Sequence, residues 1–73
     1  MEKVEINTDT IQLDQFLKWA GAVESGGQVK MMLEDQLIFV NDVLETARRK
    51  KLKNGDVVKI TDIGSWQVVT KGE

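Results

Sequence analysis

The chain has 73 residues, 41% of them hydrophobic and 30% charged, with a formal net charge of −2 and neither cysteine nor histidine. That length allows one small domain with a slim margin of stability. The missing cysteines exclude disulfides and thiolate metal sites, and the missing histidines remove the commonest metal ligand and general base together. No apolar stretch approaches the ~20 residues needed to span a bilayer. The N-terminal Met1-Glu2-Lys3-Val4-Glu5 lacks a signal peptide's apolar centre, so a soluble cytoplasmic protein with no membrane partner is expected.

In chain order, Val4-Glu5-Ile6 alternates as a short strand. Leu13, Phe16, Leu17 and Ala20 then fall at i, i+3, i+4 and i+7, one stripe of a helix. Asp14 lies in its first turn, where the macrodipole favours an acid, and Gly21 supplies a left-handed stop. A second helix opens on Ser25-Gly26-Gly27-Gln28, a capping box in which Ser25 bonds forward and Gln28 reaches back. Its apolar face is Val29, Met32 and Leu33, and it fades near Asp35.

The second half reads as β. Leu37 to Val40 is a strand, Asn41-Asp42 a two-residue hairpin turn, and Val43 to Glu45 the returning strand. Asn54-Gly55-Asp56 is a further turn before Val57 to Ile60, and Trp66 to Val69 forms the last strand after Asp62-Ile63-Gly64. Residues 70–73 are expected to be a frayed tail. The order β, α, α and then several strands implies a single α+β domain, two helices packed on a small antiparallel sheet. With no coiled-coil pattern or large apolar surface, a monomer is expected.

Charge is unevenly spread. Residues 1–45 carry three Lys against nine Asp and Glu, a net −6, whereas residues 46–73 carry seven Lys and Arg against three acids, a net +4. Five of those cations, Arg48, Arg49, Lys50, Lys51 and Lys53, fall within six positions. A local polyanion site follows from that clustering, but the acidic pI near 5.1 argues against indiscriminate coating of DNA.

Catalytic readings are weak. Asp9, Asp14, Glu34 and Asp35 stand at helix ends and read as solvated surface acids, and Ser25 is explained by its cap. Gly26-Gly27 lacks the glycine spacing of a dinucleotide site and the Gly-Lys-Ser/Thr ending of a P-loop. No enzyme activity, cofactor or metal is expected. Binding reads better. The start of the second helix presents free backbone N–H groups, its glycines let a ligand approach closely, and Lys30 stands one turn in. Arg48 to Lys53 adds guanidinium forks and ammonium charges if it lies beside that start. Trp19 is expected to be semi-buried core or helix-edge cover, Trp66 to pack on the sheet, and Met31 and Met32 to fill core. Base stacking is the weaker reading of either Trp.

Taken together, Ile11-x-Leu13-Asp14-Gln15-Phe16-Leu17-Lys18-Trp19-Ala20-Gly21, Ser25-Gly26-Gly27-Gln28-Val29-Lys30, Ile38-x-Val40-Asn41, Glu45-Thr46-x-Arg48-x-Lys50-Lys51-Leu52 and Gly55-Asp56-x-Val58 resemble a known module. It is the ribosomal protein S-four-type RNA-binding domain, with its αL motif, in the compact stand-alone YaaA/YbcJ-like version. The resemblance spans roughly residues 6–61. It implies binding of structured RNA, ribosomal or transfer, in association with the ribosome, along the two helices and the adjoining hairpin. The contacts it implies are Lys18, Ser25, Gly26, Gly27, Gln28, Lys30, Asn41, Arg48, Lys50 and Lys51, with Arg49 and Lys53 joining on charge. Three positions depart from the family pattern: Gln36 and Asp42 stand where glycine is usual, and Ala47 where arginine is frequent. Both turn residues must then adopt positive φ at a steric cost that glycine avoids.

Two other classes compete. A ubiquitin-like sulfur carrier of β-grasp fold has similar length, but it needs a terminal Gly-Gly where this sequence closes Thr70-Lys71-Gly72-Glu73. Two adjacent helices before the hairpin also fit it poorly. A protein–protein adaptor meeting an acidic partner through the basic rim is the third.

Overall fold

A computed structural model of the chain describes residues 1–71. It is an α+β domain in which nine elements follow one another: β1 (Glu2–Ile6), β2 (Thr10–Gln12), α1 (Leu13–Trp19), α2 (Gly26–Glu34), β3 (Ile38–Val40), β4 (Val43–Leu44), β5 (Lys51–Lys53), β6 (Val57–Ile60) and β7 (Gly64–Thr70). A five-stranded sheet runs β1-β7-β6-β3-β4, and β2 pairs with β5 in a separate ribbon. Every pairing is antiparallel except β1 with β7, which is parallel, so the larger sheet is mixed.

Period-two alternation sets the inner face of that sheet. Ile38 stands across from Ile60, Val40 from Val58, Val58 from Trp66 and Val4 from Val68. Leu13, Phe16 and Leu17 of α1, with Val29 and Leu33 of α2, close the core over these pairs. Phe16, Leu13 and Leu17 are fully buried, each worth about 1.5–3 kcal/mol of apolar transfer.

Both helices end in the same way. At the end of α1, Gly21 at φ 77° lets its N–H reach Lys18 O while the Ala22 N–H reaches Leu17 O, a Schellman stop. At the end of α2, Gln36 takes the glycine's role at φ 59°, with its N–H on Leu33 O and the Leu37 N–H on Met32 O. Asn41 and Asp42 both sit at positive φ, the requirement of a type I′ hairpin turn. The two substituted glycine positions therefore keep their backbone conformation, without a glycine's freedom.

Three expectations change. Trp66 packs in the core as anticipated, but Trp19 is 57% exposed and Met31 65% exposed. Each lies two residues beyond a buried position (Leu17, Val29), about 200° round the helix and on its outer face. Thr70 is not tail but the buried last residue of β7, paired with Ile6, and its hydroxyl has no hydrogen-bond partner among the described residues. Lys71 is also described, its N–H on Ile6 O at 3.3 Å, and Gly72 and Glu73, the last two residues of that expected tail, lie outside the described residues.

Candidate nucleic-acid interface

The basic run is half loop and half strand, and its position is set through its backbone. The Glu45 carboxylate accepts from the N–H groups of Thr46 (3.1 Å) and Ala47 (2.9 Å), turning the chain out of the hairpin. The loop then passes over the start of α1, whose N-cap Gln12 makes no side-chain capping bond. Instead the first two helical N–H groups donate to the run: Leu13 N to Lys50 O at 2.8 Å and Asp14 N to Arg48 O at 3.1 Å. Orphan donors of one helix are thus satisfied by the carbonyls that carry the cations. Lys51–Lys53 continues as β5, with Leu52 fully buried and the two lysines exposed.

Asp14 ties this arrangement to α2. Its Oδ2 lies 3.8 Å from Arg48 Nε, and a Cβ built on Gly26 would stand 4.0 Å from the same oxygen. By sequence alone Asp14 reads as a solvated acid. Its side chain is only 18% exposed, between the arginine and the opening of α2. Lys18, four residues on, shares its face of α1.

At α2 the cap forms largely as expected. Ser25 Oγ accepts from the Gln28 N–H at 3.4 Å, while Gln28 Oε1 reaches one residue beyond the cap and accepts from the Glu24 N–H at 2.9 Å. Gly26 and Gly27 are the first two residues of the helix, so their N–H groups are free of intrahelical bonds. Lys30 and Arg48 line one open cavity of about 450 Å³ with Thr46, Leu33 and Glu34. The opening of α2 and the basic run therefore occupy one side of the molecule, with the Asp14 carboxylate between them and Glu34 on the wall of the shared cavity.

On the other flank, Lys50, Lys51 and Lys53 line a second groove of about 290 Å³ against Asn41, Val43 and Glu45 of the hairpin. Here Asp56 fastens the end of the run. Its carboxylate accepts from Lys53 N (2.9 Å), Lys53 Nζ (3.3 Å) and Asn41 Nδ2 (3.0 Å). Burial pushes the Asp56 carboxyl up, but these hydrogen bonds and the lysine charge outweigh burial and hold it below the ordinary aspartate value.

The sequence-predicted residues consequently divide. Arg49, Lys50 and Lys51 are exposed and, among the described residues, free of ion pairs. Lys18, Lys30, Gly27 and Ser25 are also exposed. Arg48 and Lys53 are partly engaged by Asp14 and Asp56. Asn41 is committed inward: its amide donates to Asp56 and its carbonyl accepts from the Val57 N–H at 3.0 Å. Gln28 is a capping residue with its amide oxygen used. Sequence reading missed Glu45, Thr46, Asp14 and Asp56 as the groups that position the cations. Local pattern gave little signal for Asp14 and Asp56, because Arg48 and Asn41 lie far from them along the chain, and the Glu45 bonds depend on the turn that they themselves close.

Residues 4–69 match the model of the S4 domain family. The chain belongs to the S4 domain family. The match runs from β1 into β7, wider than the sequence motifs alone suggested. This S4 domain is also similar to the probable ribosome maturation protein RlbA of Bacillus subtilis (strain 168), 46% identical over 66 residues, which cover 90% of this chain and 93% of that protein. Among the described residues no helix of this S4 domain is long and apolar enough to cross a membrane.

Proposed function

We propose that the protein is a non-catalytic module that binds structured RNA, ribosomal or transfer, as a monomer in the cytoplasm and in association with the ribosome. The contact surface is the rim formed by Lys18, the opening of α2 with Lys30, and the run from Arg48 to Lys53. The observation that carries this reading is the meeting of two independent phosphate-seeking features around Asp14: a glycine-led helix start, where a Cβ on Gly26 would stand 4.0 Å from its Oδ2, and a guanidinium 3.8 Å from the same oxygen. Membership of the S4 family and similarity to a protein named for ribosome maturation support it. A-form RNA offers shape, 2′-hydroxyls and phosphates rather than readable base edges in its deep groove, so a small cationic rim is a sufficient reader. The sulfur-carrier alternative has no support from two adjacent helices and S4 membership.

The test is binding to ribosomal RNA fragments across a salt series. Neutralising about four phosphates gives a slope of log affinity against log salt of roughly −3 to −4. Lys50→Glu with Lys51→Glu is the informative variant, since neither lysine is ion-paired among the described residues. We expect affinity to fall roughly 10- to 100-fold and the slope to flatten by about two, with the melting temperature unchanged. Arg48→Glu is a poorer probe, because it sets a second carboxylate against Asp14 and disturbs the fold. A flat salt response would sink the proposal, and retained affinity for an acidic protein partner would favour the adaptor reading.

A further inference from the structure

Trp19 is the largest exposed aromatic on the molecule and is tethered by a hydrogen bond rather than packed in the core. Its indole Nε1–H donates to Glu5 O of β1 at 2.8 Å, while the residue remains 57% exposed. That N–H is the ring's one polar atom, so what stays in water is an apolar π face with its orientation already fixed. The ring borders a groove of about 300 Å³, lined by Asn7, Thr10, Ile11 and Gln15, near the lower limit for small-molecule sites. Thr8, also on its wall, spends its hydroxyl on Thr10 O, but the side-chain amides of Asn7 and Gln15 have no partner among the described residues. The ladder connects this groove to the basic run: Thr10 stands directly across from Lys53 and Gln12 from Lys51, so these side chains share the outer face of the β2–β5 ribbon.

We infer that this groove is a subsite for one unpaired base of the same RNA, stacked on Trp19 with its polar edge toward Asn7 and Gln15. The inference rests on the RNA-binding reading and extends it: the cationic rim holds a helical segment, and the groove takes a nucleotide flanking it. Amide pairs suit the mixed donor and acceptor edge of a base, and a preset ring loses little freedom on stacking. An apolar protein partner would leave both amides unmatched.

Two RNA hairpins with the same ribosomal stem distinguish the outcomes, one blunt and one with a short unpaired adenosine tail. The tail should tighten binding roughly 5- to 100-fold and quench the emission of Trp19, with buried Trp66 as the unresponsive background. Trp19→Ala should erase the tail's advantage while leaving blunt-hairpin affinity and its salt slope intact. Trp19→Phe should retain part of it without the Glu5 bond. If Trp19→Ala fails to fold, Asn7→Ala and Gln15→Ala make the same test with the ring in place, and each should shrink the advantage. Equal affinity of the wild type for both hairpins would overturn the subsite while leaving the RNA-binding reading standing. So would a Trp19→Ala variant that loses both hairpins equally along with thermal stability, which would make the ring a cover for the β1 edge. Failure of the wild type to bind either hairpin would overturn both readings.

Discussion

The two helices of this S4 domain start in opposite ways. The first turn of α2 is capped by its own neighbours, Ser25 and Gln28, whereas that of α1 is capped by the carbonyls of Arg48 and Lys50, more than thirty residues along the chain. A local cap leaves the front of the helix open, so Gly26 and Gly27 can face a ligand. A tertiary cap closes the front of the helix but fixes what closes it, and here the closing segment is the cationic run. One helix start is available for anions, and the other sets where the competing cations stand.

The strongest way to break this contrast is Leu52→Ala. The fully buried Leu52 anchors β5, and its truncation should cost about 2–5 kcal/mol and lower the melting temperature by ten degrees or more. By hydrogen exchange, the amides of Leu13 and Asp14 should lose more protection than that of Gln28. Equal loss at the two helix starts would mean that the run does not cap α1 independently.

Asp56→Asn works on the far end of the run and should cost about 1–3 kcal/mol at neutral pH. The sign of its pH dependence follows from the lowered pKa: the carboxylate stabilises the fold above the ordinary aspartate value of about 3.9, and that contribution disappears as pH falls through the lower folded value. Acid unfolding of the wild type should therefore steepen below about pH 4, and the Asn variant should show a shallower acid limb. An unchanged limb would mean that the Lys53–Asp56–Asn41 clasp does not hold in solution.

Ser25→Ala is the smaller, local counterpart. The cap bond is long at 3.4 Å, so a loss of about 0.5–1 kcal/mol is expected, with faster exchange confined to the first turn of α2. Gln36→Gly is the least, a gain of about 0.5 kcal/mol read from the denaturation midpoint. It relieves a positive φ while touching neither helix start.

Much of this was legible residue by residue. The apolar stripe Leu13-Phe16-Leu17, the Ser25 cap and the hairpin at Asn41-Asp42 follow from short-range geometry, whereas the positive φ of Gln36 was implied by the family resemblance. The strands β2 and β5 were not legible, because three residues are too few to display an alternation and each is defined by a partner some forty positions away. The parallel pairing of β1 with β7 joins the two ends of the chain and has no local signature. Trp19 and Met31 were misjudged because hydrophobicity was weighed above helical phase, which turns both outward.

By itself the sequence determined the composition of the site: which cations exist, which helix opens on glycines, and that neither thiol nor imidazole chemistry is available. Only the tertiary structure decided which cations are free and which are paired, and that the run lies beside α2 rather than across the molecule from it. The reason is physical: backbone hydrogen bonds at a helix start accept any carbonyl of suitable geometry, whatever its side chain, so their partner is chosen by the packing of Leu52 and the β2–β5 ribbon rather than by any local residue pattern.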